Sequence, residues 1–386
     1  MDLTAKESIY YRIVNSKKLR WVSVAILVYF LLVAVSIISD GFNIATAGHA
    51  VQLFEFASNP MIALIIGIVA TASIQSSSTV TSIIVGLVAG GMPLGVAIPM
   101  IMGANVGTSL TSTLVSLGHI RDGEEFRRAY SAATVHDSFN LFAVAILLPI
   151  EIMFSPLERV SGFFAAYLRF DTEATVAGFN PIGMMIKPFA DTFIYVSSFI
   201  PDVLGGLFLI FAGIFLILFV VKFLGKILKK VMVGRALDIM HRTVGRGPVS
   251  GIGAGGIITV LVQSSSTTTA LIVPMAGSGV FSLRQVYPFT LGGNLGTTIT
   301  ALIASVSISG PLAVLALQIA LVHLFFNLFA IILIYSIPLL RNIPIFIAET
   351  LSMLAQKNKL WVVAYIIGVF FVGPLSVIGL SRLFGF

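Results

Sequence analysis

Two blocks of uncharged polar side chains recur in this chain in the same order: Gln75-Ser76-Ser77-Ser78-Thr79-Val80-Thr81 and Gln263-Ser264-Ser265-Ser266-Thr267-Thr268-Thr269. Six of the seven positions are identical, and the copies are 188 residues apart. Hydroxyls donate to anion oxygens or accept a cation, and amide carbonyls suit a hard cation such as Na+. Each block lies between long apolar runs, where an unsatisfied polar group costs several kcal/mol, of the order of 2–7. Two matched polar blocks at that depth read as the halves of one binding site. Helix N-termini at the blocks would favour an anion. Neither block contains Lys or Arg, so a bound anion needs co-bound cations to offset its charge.

Two further segments repeat. Gly103-Ala104-Asn105-Val106-Gly107-Thr108-Ser109 returns as Gly292-Gly293-Asn294-Leu295-Gly296-Thr297-Thr298, offset by 189. Val135-His136-Asp137-Ser138-Phe139-Asn140 returns as Val322-His323-Leu324-Phe325-Phe326-Asn327, offset by 187. The glycines and asparagines of the first pair predict an unwound helix in each copy, although glycines at that spacing also let helices pack closely. Asp137 is the acidic residue well inside a repeat span, and an intramembrane acid is functional by default, an interior salt bridge being the plain alternative. His136 and His323 lack the further ligands of a metal site, so a structural hydrogen bond is expected of each. An isolated serine in a membrane helix usually bonds back to the preceding turn; the doubling argues otherwise here. Gly251-Ile252-Gly253-Ala254-Gly255-Gly256 fits a dinucleotide fingerprint in form only, since it follows a basic segment and no strand.

The elements that must carry these residues are membrane helices. The chain has 386 residues, 57% apolar and 10% charged, against roughly 25% charged in soluble domains. The formal charge of +7 resides in short polar segments and is no nucleic-acid footprint. Absence of cysteine excludes disulfides and thiolate chemistry. Continuous apolar runs exclude an outer-membrane barrel.

The expected fold is an all-α integral membrane protein built as an inverted-repeat secondary transporter, with two re-entrant helical hairpins and two broken transmembrane helices. Residues 1–20 form a basic cytoplasmic N-terminal segment. Residues 21–150 form the first repeat: a span from Trp21 to Ser39, a hairpin from Pro60 to Gly91 with its polar tip at the first block, a broken helix from Met92 to Leu117, a charged loop at 119–128, and a span from Ala129 to Ile150. Residues 151–202 are an external connector. Residues 203–338 form the second repeat, with a span from Val203 to Val221, a basic loop from Lys222 to Arg246, a hairpin from Gly247 to Gly279 and a helix from Val286 to Val306 interrupted at Gly292–Thr300. Residues 339–386 contain one further span, Leu360 to Leu380. The run at Trp21 exceeds the roughly 7–15 residues of a signal-peptide core, which favours a retained anchor over cleavage near Ala45-Thr46-Ala47. The charged loop 119–128 corresponds to the uncharged 306–311, as opposite membrane sides require.

The paired QSSST blocks, the GANVGTS and GGNLGTT segments and the VHDSFN segment resemble those of the type II sodium-dependent phosphate cotransporters, over roughly residues 21–340. The resemblance implies Na+-driven uptake of inorganic phosphate and no enzymatic activity. It implies phosphate contacts at Ser77, Ser78, Ser265 and Ser266, with Asn105 and Asn294 nearby. It implies a Na+ site at Gln263, Ser264, Thr297 and Thr300, with mirrored positions Gln75, Ser76, Thr108 and Thr111. Electroneutral members carry glycine where this chain has Asp137, so Asp137 with Asn140 implies an additional Na+ and net charge movement. Na+ is then a transported ion, with no cofactor and no transition metal, and the partners are phosphate, Na+ and the lipid bilayer. Animal members have a longer, cysteine-containing connector and a further C-terminal span; this chain suits a bacterial inner membrane, multi-pass, with its N-terminus in the cytoplasm. Three other readings stand beside this one. A symporter of another oxyanion shares every feature. A passive channel would need no Na+. A serine hydrolase lacks a base, because His136 and Asp137 are adjacent and point about 100° apart on a helix.

Overall fold

The computed structural model describes residues 16–46, 57, 59–175, 181–308, 312–376 and 379. The regular secondary structure among them is helical throughout. Among the described residues five helices are long and apolar enough to cross a membrane, and the chain is a multi-pass integral membrane protein. The expected cytoplasmic segment up to residue 15, Ala47 of the cleavage-like sequence, residues 309–311 and the end of the last span lie outside the described residues.

The first half of the chain contains α1 (Lys17–Thr46), α2 (Pro60–Ile74), α3 (Ser77–Ala89), α4 (Leu94–Gly107), α5 (Leu110–Ser116) and α6 (Gly123–Phe154). Two helices follow, α7 (Pro156–Thr175) and α8 (Pro181–Ser197), within the segment expected to be a connector. The second half contains α9 (Asp202–Thr243), α10 (Pro248–Val262), α11 (Ser265–Gly277), α12 (Leu283–Ser305) and α13 (Ala313–Ala330), the last prolonged by a π-helical turn at Ile331–Tyr335. Then come α14 (Pro338–Lys357) and α15 (Leu360–Ile367), which continues through a π-helical turn at Gly368–Val372.

Local chemistry sets the boundaries. Asn59 caps α2 by accepting from the Met61 N–H at 2.8 Å, with Pro60 in the first turn. Pro248 starts α10 in the same way after Gly247, whose φ of 123° suits glycine alone. Asp122 accepts from the N–H groups of Glu124 and Glu125 at 3.1 and 2.9 Å, and both glutamates lie in the first turn of α6. That capping draws residues 123–128 of the expected charged loop into helix. The expected basic loop from Lys222 is likewise helical through Thr243, because its lysines continue a strongly helix-forming sequence.

The two halves use one packing device. α2 lies along α4, and α10 lies along α12. A Cβ at Gly67 would overlap the Met100 carbonyl, one at Gly103 the Leu64 carbonyl, and one at Gly107 would meet the Ile68 carbonyl oxygen at 2.5 Å. In the second half a Cβ at Gly255 would overlap the Phe289 carbonyl, one at Gly292 the Ile252 carbonyl, and one at Gly296 would meet the Gly256 carbonyl oxygen at 2.6 Å. Backbones approach this closely only where the side chain is a hydrogen. Each contact has a counterpart 188 or 189 residues on. The exchange is reciprocal as well: α3 packs against α12 and α13, and α11 against α5 and α6.

One expected break is present and the other is not. α4 ends at Gly107 and α5 begins at Leu110, with Thr108 and Ser109 between them. α12 runs unbroken through Gly292–Thr300, which corrects the expected second interruption. The difference lies in the asparagines. Asn140 Nδ2 donates to the Asn105 carbonyl oxygen at 3.0 Å, and the Ser109 N–H turns to Val106 O at 3.4 Å. The counterpart Asn327 Nδ2 donates within its own helix, to the His323 carbonyl at 3.0 Å, so the α12 ladder is left intact.

Candidate binding site

Each repeated block is a helix end followed at once by a helix start. Gln75 closes α2 in the left-handed region (φ 58°, ψ 30°) and Gln263 closes α10 in the same conformation (φ 55°, ψ 32°). A non-glycine residue held there is uncommon and costs about 1–2 kcal/mol. The next residue is in each case an extended serine that caps the second helix. Ser76 Oγ accepts from the Thr79 N–H at 3.3 Å and from the Thr79 hydroxyl at 2.8 Å. Ser264 Oγ accepts from the Thr267 N–H at 3.1 Å. Ser77 and Ser265 thus open α3 and α11, where the first N–H groups have no intrahelical carbonyl to bind. Each such end carries about half a positive elementary charge.

The serine hydroxyls are uncommitted. Most hydroxyls on these helices bond to a carbonyl of the preceding turn, as those of Thr81, Ser82, Thr108, Ser112, Thr268 and Thr269 do. The hydroxyls of Ser77, Ser78, Ser265 and Ser266 make no such bond among the described residues. Ser77, Ser78 and Ser265 are buried and Ser266 half-buried. These four are donors held at two helix N-termini.

Between the halves runs a belt of amides. Asn105 Nδ2 on α4 donates to Asn327 Oδ1 on α13 at 2.9 Å, and Asn294 Nδ2 on α12 donates to Asn140 Oδ1 on α6 at 2.7 Å. These two bonds are counterparts of one another in the repeat. Asn105 Nδ2 also donates to Asn140 Oδ1 at 3.1 Å. His136 Nε2 meets Asn294 Oδ1 at 2.6 Å, so Nε2 carries the proton and does not accept from Asn140, 3.4 Å away. All four asparagines are at most 2% exposed. The sequence points to Asn105, Asn140 and Asn294; it marks Asn327 only as the repeat of Asn140.

The remaining predicted residues divide into groups. Thr300 Oγ1 donates to Gln263 Oε1 at 3.0 Å, joining α12 to the second block, and Gln263 Nε2 donates to Val260 O at 2.8 Å. The Thr297 hydroxyl donates to Gly293 O at 3.0 Å. In the first half Gln75 is exposed, the Thr108 hydroxyl bonds Ala104 O, and the buried Thr111 hydroxyl has no partner among the described residues. The Gln–Thr contact therefore exists in one half only. Asp137 and Asn140 belong to different groups: Asn140 faces the amide belt, while Asp137 Oδ2 accepts from Thr113 at 3.1 Å and from the Tyr365 hydroxyl at 3.1 Å. Asp137 is 1% exposed, and its Oδ1 has no hydrogen-bond partner among the described residues. Tyr365 lies on α15, outside the repeats, and no repeat or motif could have marked it. Among the described residues no group of three or more His, Asp or Glu side chains could hold a metal ion.

Each half thus carries a helix N-terminus with two uncommitted serine hydroxyls, donors of the kind an anion takes, and the amide, hydroxyl and carboxylate oxygens are acceptors of the kind small cations take. Known proteins are similar to this chain over most of its length. The Na+/Pi-cotransporter family matches residues 30–214 and 216–340. The human sodium-dependent phosphate transport protein 2B is 31% identical over an alignment covering 92% of this chain and 64% of that protein. The bovine 2B protein is 31% identical over 94% of this chain and 65% of the relative, and the rat 2A protein 31% over 92% and 66%. The chain thus spans just under two thirds of the length of these relatives. No solved structure matches it.

Proposed function

Because this chain belongs to the Na+/Pi-cotransporter family, we propose that it couples the inward movement of Na+ to uptake of inorganic phosphate by alternating access. It is then a transporter with no catalytic step. The observation that carries the proposal is the pair of serine-capped N-termini at α3 and α11, with the uncommitted hydroxyls of Ser77, Ser78, Ser265 and Ser266 at their openings. Phosphate takes its hydrogen bonds from these hydroxyls and from the free N–H groups of the two first turns. The two helix ends together supply about one positive charge, less than a doubly ionised phosphate requires, and Na+ supplies the rest. That shortfall is the physical origin of coupling.

One Na+ sits at Gln263, Ser264, Thr297 and Thr300, supported by the Thr300–Gln263 contact. Gln75, Ser76, Thr108 and Thr111 are the mirrored positions. A further Na+ sits at Asp137, whose Oδ1 is uncommitted and whose neighbours are Thr113 and Tyr365 rather than Asn140. Asp137 makes the cycle electrogenic. Residues 21–150 and 203–338 are inverted repeats, with α2–α3 and α10–α11 as re-entrant hairpins, 151–202 external and 339–386 carrying one more span. The reciprocal packing of the two halves supports this. The N-terminus is cytoplasmic, and a cysteine-free chain with a short connector suits a bacterial inner membrane.

The test is Na+-dependent binding of labelled phosphate to the purified protein. Ser77→Ala and Ser265→Ala each lower affinity at least tenfold while the protein remains monodisperse. Unchanged phosphate binding in both variants would overturn the site.

A further inference from the structure

The amide belt is built from repeated residues, yet its histidines are not used alike. His136 Nε2 bonds Asn294 at 2.6 Å. Its counterpart His323 is 0% exposed, and neither ring nitrogen has a partner among the described residues. His136 Nδ1 is also without one, so the two residues differ at Nε2. A buried, unpaired nitrogen is a standing penalty in this conformation, which a membrane interior does not relieve. The repeat identifies its natural partner: as His136 pairs with Asn294, His323 pairs with Asn105. Asn105 spends its N–H2 on Asn140 and Asn327, which leaves its Oδ1 as acceptor.

A second asymmetry falls on the same residues. Asn140 Nδ2 takes the Asn105 carbonyl, where α4 gives way to α5. Asn327 Nδ2 is turned instead onto the His323 carbonyl, and α12 is unbroken. Each half thus shows one of two arrangements of the same parts.

We propose that the two halves exchange these arrangements during transport, and that His323 is the positioning residue of the state opposite to this one. In that state His323 Nε2 donates to Asn105 Oδ1, Asn327 Nδ2 takes the Asn294 carbonyl, α12 opens at Thr297–Thr298, and the α4–α5 break closes as Asn140 and His136 let go. The inference rests on the alternating-access reading. It adds where the moving break lies and which residue holds it.

Amide hydrogen exchange over residues 103–113 and 292–302 tests it in the full-length protein in detergent or nanodiscs. Wild type with Na+ and phosphate, compared with neither, changes exchange in the two segments in opposite directions. Removing one state-specific buried hydrogen bond shifts a two-state equilibrium by about tenfold. His323→Leu therefore slows exchange at 297–301 by about that factor and leaves 103–113 fast. His136→Leu does the reverse. His323→Gln, which can still donate to Asn105, lies between His323→Leu and wild type and keeps the test open should a leucine variant not fold. Acceleration of both segments by every variant would overturn the inference, because it would show a merely structural role. An opposed response in wild type with no opposed response in the variants would overturn the role of His323 alone. No opposed response in wild type would overturn alternating access between these halves, and the inference with it.

Discussion

Gly253 and Gly255 lie two residues apart on α10, and substituting each by alanine should move stability in opposite directions. Nothing lies within 4 Å of a Cβ built at Gly253. Alanine there gains the helix preference over glycine, about 0.8–1 kcal/mol. A Cβ at Gly255 would overlap the Phe289 carbonyl and stand 3.1 Å from the Gly293 N. Both are backbone atoms, so no side chain can rotate away and α10 must lift off α12. Overpacking of this kind costs about 1–3 kcal/mol, which exceeds the gain in preference. The gain in preference is common to both positions and cancels, so the two variants should differ by the overpacking cost, about 1–3 kcal/mol, Gly253→Ala being the more stable. SDS titration of the purified protein, followed by helical circular dichroism, reads this difference. The same lift separates Gln263 from Thr300, so Gly255→Ala should also lose Na+-dependent phosphate binding. Equal stability of the two variants would refute the close-packing argument, and with it the explanation of why glycine recurs at these places in both halves.

Two other substitutions probe the cation groups. Thr300→Val keeps shape and removes the hydroxyl that holds Gln263; loss of one neutral hydrogen bond of about 1 kcal/mol should raise the Na+ concentration for half-maximal uptake about fivefold. Thr290→Val, whose hydroxyl bonds Tyr287 O within α12, should leave that value unchanged, and equal effects would separate Gln263 from Na+ binding. Tyr365→Phe removes one of two donors to Asp137 Oδ2 and should reduce Na+-evoked charge movement more than it reduces phosphate binding at saturating Na+. Equal reductions would place Tyr365 in the packing of α15 alone.

The candidate site residues are legible in the sequence because polar residues in apolar helices are costly and their repetition has few other causes. The doubled QSSS block marks both helix starts, and the structure places a left-handed Gln and a capping Ser at each. The glycine patterns were legible as packing motifs for the same reason. The helix boundaries were less so. Asp122 looked like part of a loop, yet its side chain caps α6, and the lysines after Val221 looked like a cytoplasmic loop, yet they prolong α9. GANVGTS and GGNLGTT look equally breakable. What distinguishes them is which carbonyl Asn140 and Asn327 reach, a matter of tertiary arrangement that no local pattern encodes. Tyr365 illustrates the same limit, since its hydrogen bond to Asp137 comes from where α15 packs.

The central claim is coupling, and labelled phosphate uptake into proteoliposomes at clamped membrane potential measures it directly. With an inward Na+ gradient the protein should accumulate phosphate, faster when the interior is negative, and with an equal K+ gradient it should not. Uptake at the same rate in K+ would contradict the account, because the paired helix ends would then bind phosphate without needing the cation charge they lack.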